Sequence, residues 1–201
     1  MLSEYKLNES QLLEAINRKW VRRSAGAVIA ISDVGSWRRG GSETYVAEGV
    51  LALSENTSEH VIAKAFVGWG LSPEQQQVRS EQRRKMIGAR GVPVPHLYAT
   101  YPAVSIEQFI PDEMPSPDLM QADVALQMGK IARELAHLKL RPTELWADIR
   151  LNESIGYLVD FGSDIVSSDD TTEWVFLLQS KLSRDSADAF NRGFGVGFLI
   201  N

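Results

Sequence analysis

The sequence predicts an α+β fold in two lobes, an antiparallel five-stranded sheet interrupted by one helix followed by a short, mainly helical part that holds one β-hairpin. Three observations carry this prediction. Up to residue 110 the apolar residues come in short, partly alternating runs bounded by Gly, Asn, Asp and Pro, the pattern of strands joined by tight turns. One stretch inside that region, Pro73 to Arg90, is rich in Gln, Glu and Arg and has no β-branched run, which favours a helix. Beyond Pro111, Pro115 and Pro117 the apolar spacing changes to intervals of three and four, as on a helix with one buried face.

Each element follows in order. Ser10 opens a stretch with Leu12, Leu13, Ile16 and Trp20 at helical spacing, a packing helix ahead of the first strand. Ala27 to Ser32 reads as a strand, Asp33 to Ser42 as a Gly-rich loop, Glu43 to Leu53 as a second strand, and His60 to Val67 as a third, reached through the turn Glu55-Asn56-Thr57-Ser58. Ser72 caps the helix of Pro73 to Arg90 and Pro73 occupies its first position. Gly91 closes it, and Val92-Pro93-Val94-Pro95 keeps the chain extended. His96 to Thr100 and Ala103 to Ile110 complete the sheet. The domain organisation is thus a first lobe over 1–110, a hinge over 111–117 and a reduced second lobe over 118–201. In that second lobe Val124, Met128, Ile131, Leu135 and Leu138 mark a long helix, Asp148 to Asp160 a hairpin, and Thr171 to Leu182 and Arg184 to Gly193 two further helices.

Composition excludes several function classes. With 201 residues and 44% apolar content the chain can build a real core. Its 21 basic and 26 acidic residues leave a net charge of -5, which argues against a nucleic-acid partner held by phosphate contacts. The absence of cysteine rules out disulfides, thiolate metal sites and a cysteine nucleophile. No apolar run approaches the roughly 20 residues of a membrane-spanning helix. Met1 to Lys19 carries Glu4, Glu9 and Glu14 and no continuous apolar core, so it does not read as a signal peptide. The expectation is a soluble, cytoplasmic protein with neither nucleic acid nor membrane as partner. His60, His96 and His137 show no metal-ligand spacing.

Two strings far apart carry chemistry: Val61-Ile62-Ala63-Lys64 and Val159-Asp160-Phe161-Gly162. A strand fixes a cation such as Lys64 better than a loop does, and the α- and β-phosphates of a nucleotide need a fixed cation. An exposed strand lysine is the ordinary alternative. Asp160 ends an apolar strand, where a carboxylate is costly unless something positive pairs with it, and a magnesium ion bridging phosphates is a natural partner. The ordinary alternative there is an aspartate capping a turn. The sheet, helix, hinge and hairpin between the two strings come in the order found in the protein-kinase-like superfamily. Over about residues 27 to 165 the chain resembles a compact kinase of the aminoglycoside and choline phosphotransferase type with a degenerate catalytic loop.

That resemblance implies ATP and Mg2+ as cofactors and assigns further residues. The glutamate that holds Lys64 would be Glu81 on the following helix, with Glu74 as the alternative. Gly35, Gly40, Gly41 and Ser42 would form the loop over the phosphates, Arg39-Gly40-Gly41-Ser42 being similar to the turn of small-molecule kinases; backbone amides bind anions there without side chains. Glu107 and Phe109, at the end of the fifth strand, would lie at the hinge whose backbone reads adenine.

The catalytic loop departs from the family pattern. Counting back from Asp160 through the hairpin puts the metal-binding Asn of the family on Asp148, which as a carboxylate can still bind magnesium, and the catalytic aspartate on Thr143. Threonine cannot accept the substrate proton as a carboxylate would. Glu144, adjacent, is the candidate substitute. A second register, with Asp148 as base and Asn152 or Glu153 as metal ligand, leaves too few residues before Asp160 for two paired strands and a turn. Three readings follow. The first is an ATP-dependent phosphotransferase acting on a hydroxyl of a small molecule or protein. The second is a pseudokinase that binds a nucleotide or a protein partner without phosphoryl transfer. The third is an unrelated α+β domain.

Overall fold

The computed structural model describes residues 30–32, 35–40, 43–54, 57–68, 70–162, 165–167 and 172–195, together with Ser10 and Glu14. Ser10 and Glu14 are helical, and the rest of the expected N-terminal helix lies outside the described residues, as do Gly41 and Ser42. The chain divides into two compact units, one formed by Met1–Glu81 with Pro95–Phe109 and the other by Gln82–Val94 with Ile110–Asn201. The sequence placed its single boundary at the prolines of 111–117. The two units exchange the chain three times, between Glu81 and Gln82 within a helix, between Val94 and Pro95, and between Phe109 and Ile110.

The first unit is built on an antiparallel sheet of β1 (Ala30–Ser32), β2 (Arg38–Arg39), β3 (Thr44–Ser54), β4 (Thr57–Phe66), β5 (Leu97–Tyr101) and β6 (Val104–Gln108). Its order is β1-β3-β4-β6-β5, with β2 alongside β3. The five expected strands are present. The sixth, β2, is two residues of the Gly-rich loop folded back so that Arg38 faces Val46 and Arg39 faces Tyr45. The turn after β2 tolerates no side chain at Gly40, because a Cβ there would lie 2.5 Å from Cγ1 of Val46. Leu51, Val61, Ala63, Ala65, Val104 and Ile106 form the unit's core with Tyr98 and Ala99.

Helix α1 (Pro73–Gly88) begins in the first unit. Ser72 Oγ accepts from the Gln75 amide at 3.2 Å and Gln75 Oε1 accepts from the Ser72 amide at 3.0 Å, a reciprocal cap that satisfies two orphan donors. Pro73 follows at the first helical position, where it has no amide to lose. At the other end Gly91 adopts φ 82 and its amide reaches the Gly88 carbonyl, which turns the chain out of the helix.

The second unit holds β7 (Asp112–Glu113), a single 3-10 turn (Pro117–Leu119), α2 (Ala122–His137), β8 (Leu140–Pro142), α3 (Leu145–Asp148), β9 (Ile149–Asn152), β10 (Ile155–Leu158), β11 (Ile165–Ser167), α4 (Thr172–Gln179) and α5 (Arg184–Phe194). The expected helices and the hairpin β9-β10 are all there. Two strand pairings were not anticipated: β7, inside the proline segment, joins the hairpin through Asp112 and Glu113, and β8 pairs with β11. The periodic residues Val124, Met128, Ile131 and Leu135 of α2 bury against Leu145, Ile149, Leu158, Phe161 and Phe190. Helices α2 and α5 pack backbone to backbone, since a Cβ on Gly129 would lie 2.1 Å from the Phe190 carbonyl oxygen and one on Gly193 would lie 2.1 Å from that of Leu126. Among the described residues no helix is long and apolar enough to cross a membrane.

Candidate functional site

In the first unit the site residues gather on one face of β4 and β6. Val61, Ala63 and Ala65 are buried on one face of β4, which places Lys64 on the other. Lys64 lies opposite Ser105, and Ile62 opposite Glu107, in the β4-β6 ladder. Two residues along from Lys64's partner, the Glu107 carboxylate meets the ammonium: Nζ to Oε2 is 3.0 Å, with the lysine side chain 16% exposed and the glutamate 4%. Ser105 Oγ donates to Glu107 Oε1 at 2.7 Å and fixes the carboxylate from its own strand. Neighbouring strands hold this pair in register, so the cation is set by sheet geometry.

The sequence assigned this pairing to Glu81. Glu81 lies on α1, and its Oε1 accepts from Gln77 Nε2 at 3.2 Å, while the same Gln77 amide group also donates to the Val104 carbonyl at 3.1 Å. Glu107, expected at the hinge for its backbone alone, brings a carboxylate onto Lys64. Glu107 contributes its side chain, and its backbone is part of the ladders with β4 and β5. Phe109, the other hinge residue, donates its amide to the His60 carbonyl at 3.0 Å, and Gln108 donates to that of His96 at 2.8 Å. Those two amides are spent on the sheet.

Within the Gly-rich segment, Gly35 donates to the Glu48 carbonyl at 2.8 Å and Gly40 to that of Thr44 at 3.0 Å. Arg38 pairs with Glu48, and the Arg39 guanidinium sits 5.0 Å above the Tyr45 ring. Glu43, buried just after the loop, has its carboxylate 3.6 Å from the Arg79 guanidinium and 3.4 Å from Gln76 Nε2. This anchoring of the loop's end to α1 was not read from the sequence.

In the second unit the site residues gather at the open end of the β9-β10 hairpin. Ile149 pairs with Leu158, and one step further the Val159 amide donates to the Asp148 carbonyl at 2.8 Å. Asp148 and Asp160 therefore stand at the same end of the hairpin, one preceding β9 and the other following β10. Asp148 is buried. The hairpin turns on Glu153 and Ser154, with Asn152 opposite Ile155, so Asn152 and Glu153 occupy its far end. Both strands of the hairpin and its turn lie between Asp148 and Asp160.

Asp160 Oδ1 accepts from the Gly162 amide at 2.9 Å, a turn that the sequence offered as the ordinary alternative and that coexists with a second carboxylate oxygen on the same side chain. Phe161 is buried in the core. Arg83, which no sequence signal singled out, donates from Nη1 to the carbonyls of Phe161, at 3.3 Å, and Gly162. Thr143 and Glu144 follow β8 and are both exposed. The Glu144 carbonyl accepts from the Ala147 and Asp148 amides, which starts α3.

Two carboxylates at one hairpin end are hard oxygen donors, the set that suits magnesium when the remaining ligands are phosphate oxygens and water. Among the described residues no group of three or more histidines or acids gathers as a self-sufficient cation cage.

The fold is mixed α+β, with an antiparallel sheet and several helices. By shape the chain is similar to the apoenzyme of the macrolide 2'-phosphotransferase MphH from Brachybacterium faecium, with a TM-score of 0.61 over 92% of this chain and 81% of that one, at 10% sequence identity. No family model and no curated protein matches the sequence.

Proposed function

We propose that the chain binds MgATP and is an ATP-dependent phosphotransferase acting on a hydroxyl of a small molecule or protein. The observation that carries this reading is the bond from the Val159 amide to the Asp148 carbonyl, which sets two carboxylate-bearing residues at one hairpin end in a fold of this class. Asp148 and Asp160 would hold the magnesium, which when bound neutralises charge on the phosphates. Lys64 supplies the fixed cation for the phosphates, and Glu107 orients that ammonium. A nucleotide of the surrounding cytoplasm is the expected ligand, and the segment from Glu107 to Phe109 would read adenine through carbonyls rather than through the two amides already engaged.

Thr143 limits the chemistry. Its hydroxyl can donate and accept a hydrogen bond but cannot hold a proton taken from a substrate alcohol. General-base help is typically worth about 10² to 10⁴ in rate, so a chain that positions MgATP without it transfers phosphate slowly. The second reading, a pseudokinase engaging a nucleotide or protein partner, is favoured by the same residue. Calorimetry with MgATP, then with Lys64→Ala and Asp160→Asn, tests the nucleotide site: binding in the native chain and its loss in both variants is expected, and no heat at millimolar MgATP overturns it. Phosphate release from bound ATP then separates the phosphotransferase from the pseudokinase.

A further inference from the structure

We propose that Arg83 is a positioning residue that holds Asp160 for its cation; this rests on the nucleotide reading above. The segment that follows β10 leaves the ladder at Val159, so the carbonyls of Phe161 and Gly162 have no strand partner in the hairpin. Arg83 Nη1 takes both. A guanidinium bonded to main-chain carbonyls forms charge-assisted bonds, stronger than neutral ones, and its planar fork restricts their direction. Between those carbonyls the Gly162 amide closes the turn onto Asp160 Oδ1, and the buried Phe161 ring pins the same peptide into the core. The turn uses one oxygen of Asp160 and leaves Oδ2 for a cation. Arg83 therefore acts through the backbone, fixing the torsion of the turn and hence the direction of that oxygen.

This role has a sign that distinguishes it from simple electrostatics. A positive charge near Asp160 repels a second cation, so if Arg83 were only a local charge, neutralising it would tighten metal-dependent binding. If it fixes the carboxylate, removing it loosens binding despite the lost repulsion. Residues that orient a metal ligand from behind typically change metal affinity about 10- to 100-fold when replaced.

The experiment compares ATP affinity in magnesium and in EDTA, by calorimetry on the full chain, together with hydrogen exchange of the Gly162 amide in the ligand-free protein. Arg83→Gln should weaken the magnesium-dependent affinity about tenfold, leave the EDTA value at that of the native chain, and speed exchange at Gly162. Arg83→Lys keeps the charge without the fork and should fall between the two, and it serves where the Gln variant does not fold. Asp160→Asn is the reference, expected to abolish the magnesium dependence. If Asp160→Asn does so while both Arg83 variants bind as tightly as the native chain or more tightly, the inference is overturned and the nucleotide reading stands. If the native chain shows no magnesium dependence, both fall.

Discussion

Lys64 and Glu107 form an ion pair across neighbouring strands, with Nζ 3.0 Å from Oε2 and both side chains largely withdrawn from solvent. Removing the carboxylate leaves an ammonium 16% exposed without this charge partner. A hydrogen bond to a charged group is worth about 1.5–3 kcal/mol, and Glu107→Gln should cost an amount in that range, read by urea unfolding. It should also weaken MgATP binding more than Glu81→Gln does. A larger affinity loss in Glu81→Gln would place the anchor of Lys64 on the helix instead of the strand.

Gly129 and Gly193 allow α2 and α5 to touch backbone to backbone. A methyl group at either meets main-chain atoms of the other helix at 2.1 Å, and backbone cannot swing aside as a flexible side chain can. Gly129→Ala and Gly193→Ala should each destabilise by about 3 kcal/mol, the upper end of overpacking costs. Gly91→Ala is the control: it sits at φ 82 with nothing within 4 Å, so only the left-handed conformation is penalised, by about 1 kcal/mol. Thermal melts of the three variants check the order.

The elements legible in the sequence were those with strong local signals. The cap at Ser72, the apolar stripe of α2 and the strand containing Lys64 all follow from residues near one another in the chain. What escaped depends on register between distant segments. Glu107 was visible as a strand residue, yet its meeting with Lys64 needs the β4-β6 alignment, which a one-residue slip would destroy. Arg83 is one of several arginines on α1, and nothing nearby marks it as the one that reaches Phe161 and Gly162. The two-residue strands β2 and β7 carry too little periodicity to announce themselves. The hairpin itself was legible because β9, turn and β10 are contiguous in the chain.

Lys139 follows α2 in the left-handed region, at φ 56, and is exposed. An L-residue there bears about 1–2 kcal/mol of strain that glycine avoids, against about 0.5–1 kcal/mol of extra backbone entropy lost by glycine on folding. Lys139→Gly should stabilise by about 0.5–1 kcal/mol. Glu153, at φ 57 in the hairpin turn, should behave in the same way. A lowered urea midpoint in both variants would show that side-chain contacts outweigh the backbone strain.

Glu134 on α2 predicts the acid limb of stability. Burial raises its carboxyl pKa, but hydrogen bonds from Arg90, Arg133 and His137 and the charge of Arg90 outweigh it, so the group ionises below the usual glutamate range. A carboxyl depressed in the folded state contributes stability that is present above its unfolded pKa, about 4.3, and is lost as pH falls through the folded value. Unfolding free energy should therefore drop in the pH range below about 4.3. Glu134→Gln should be less stable at neutral pH and show a shallower acid limb. Parallel limbs in the two proteins would remove Glu134 from the account.

Thr143 offers a direct test of the proposed phosphoryl transfer. It is exposed just after β8, where a carboxylate can be solvated. Thr143→Asp should leave the affinity for MgATP unchanged, because the residues proposed to hold the nucleotide and metal are untouched. Turnover should rise, by about 10² if the new carboxylate reaches the attacking hydroxyl or water. The measurement is phosphate release under single-turnover conditions, with Asp160→Asn in the same background to show that the gain needs the metal ligand. Turnover that Glu144→Gln abolishes in the native chain but not in the Thr143→Asp variant would identify Glu144 as the weaker base now in use. No rise, with MgATP still bound, favours a chain that holds a nucleotide for a purpose other than transferring its phosphate.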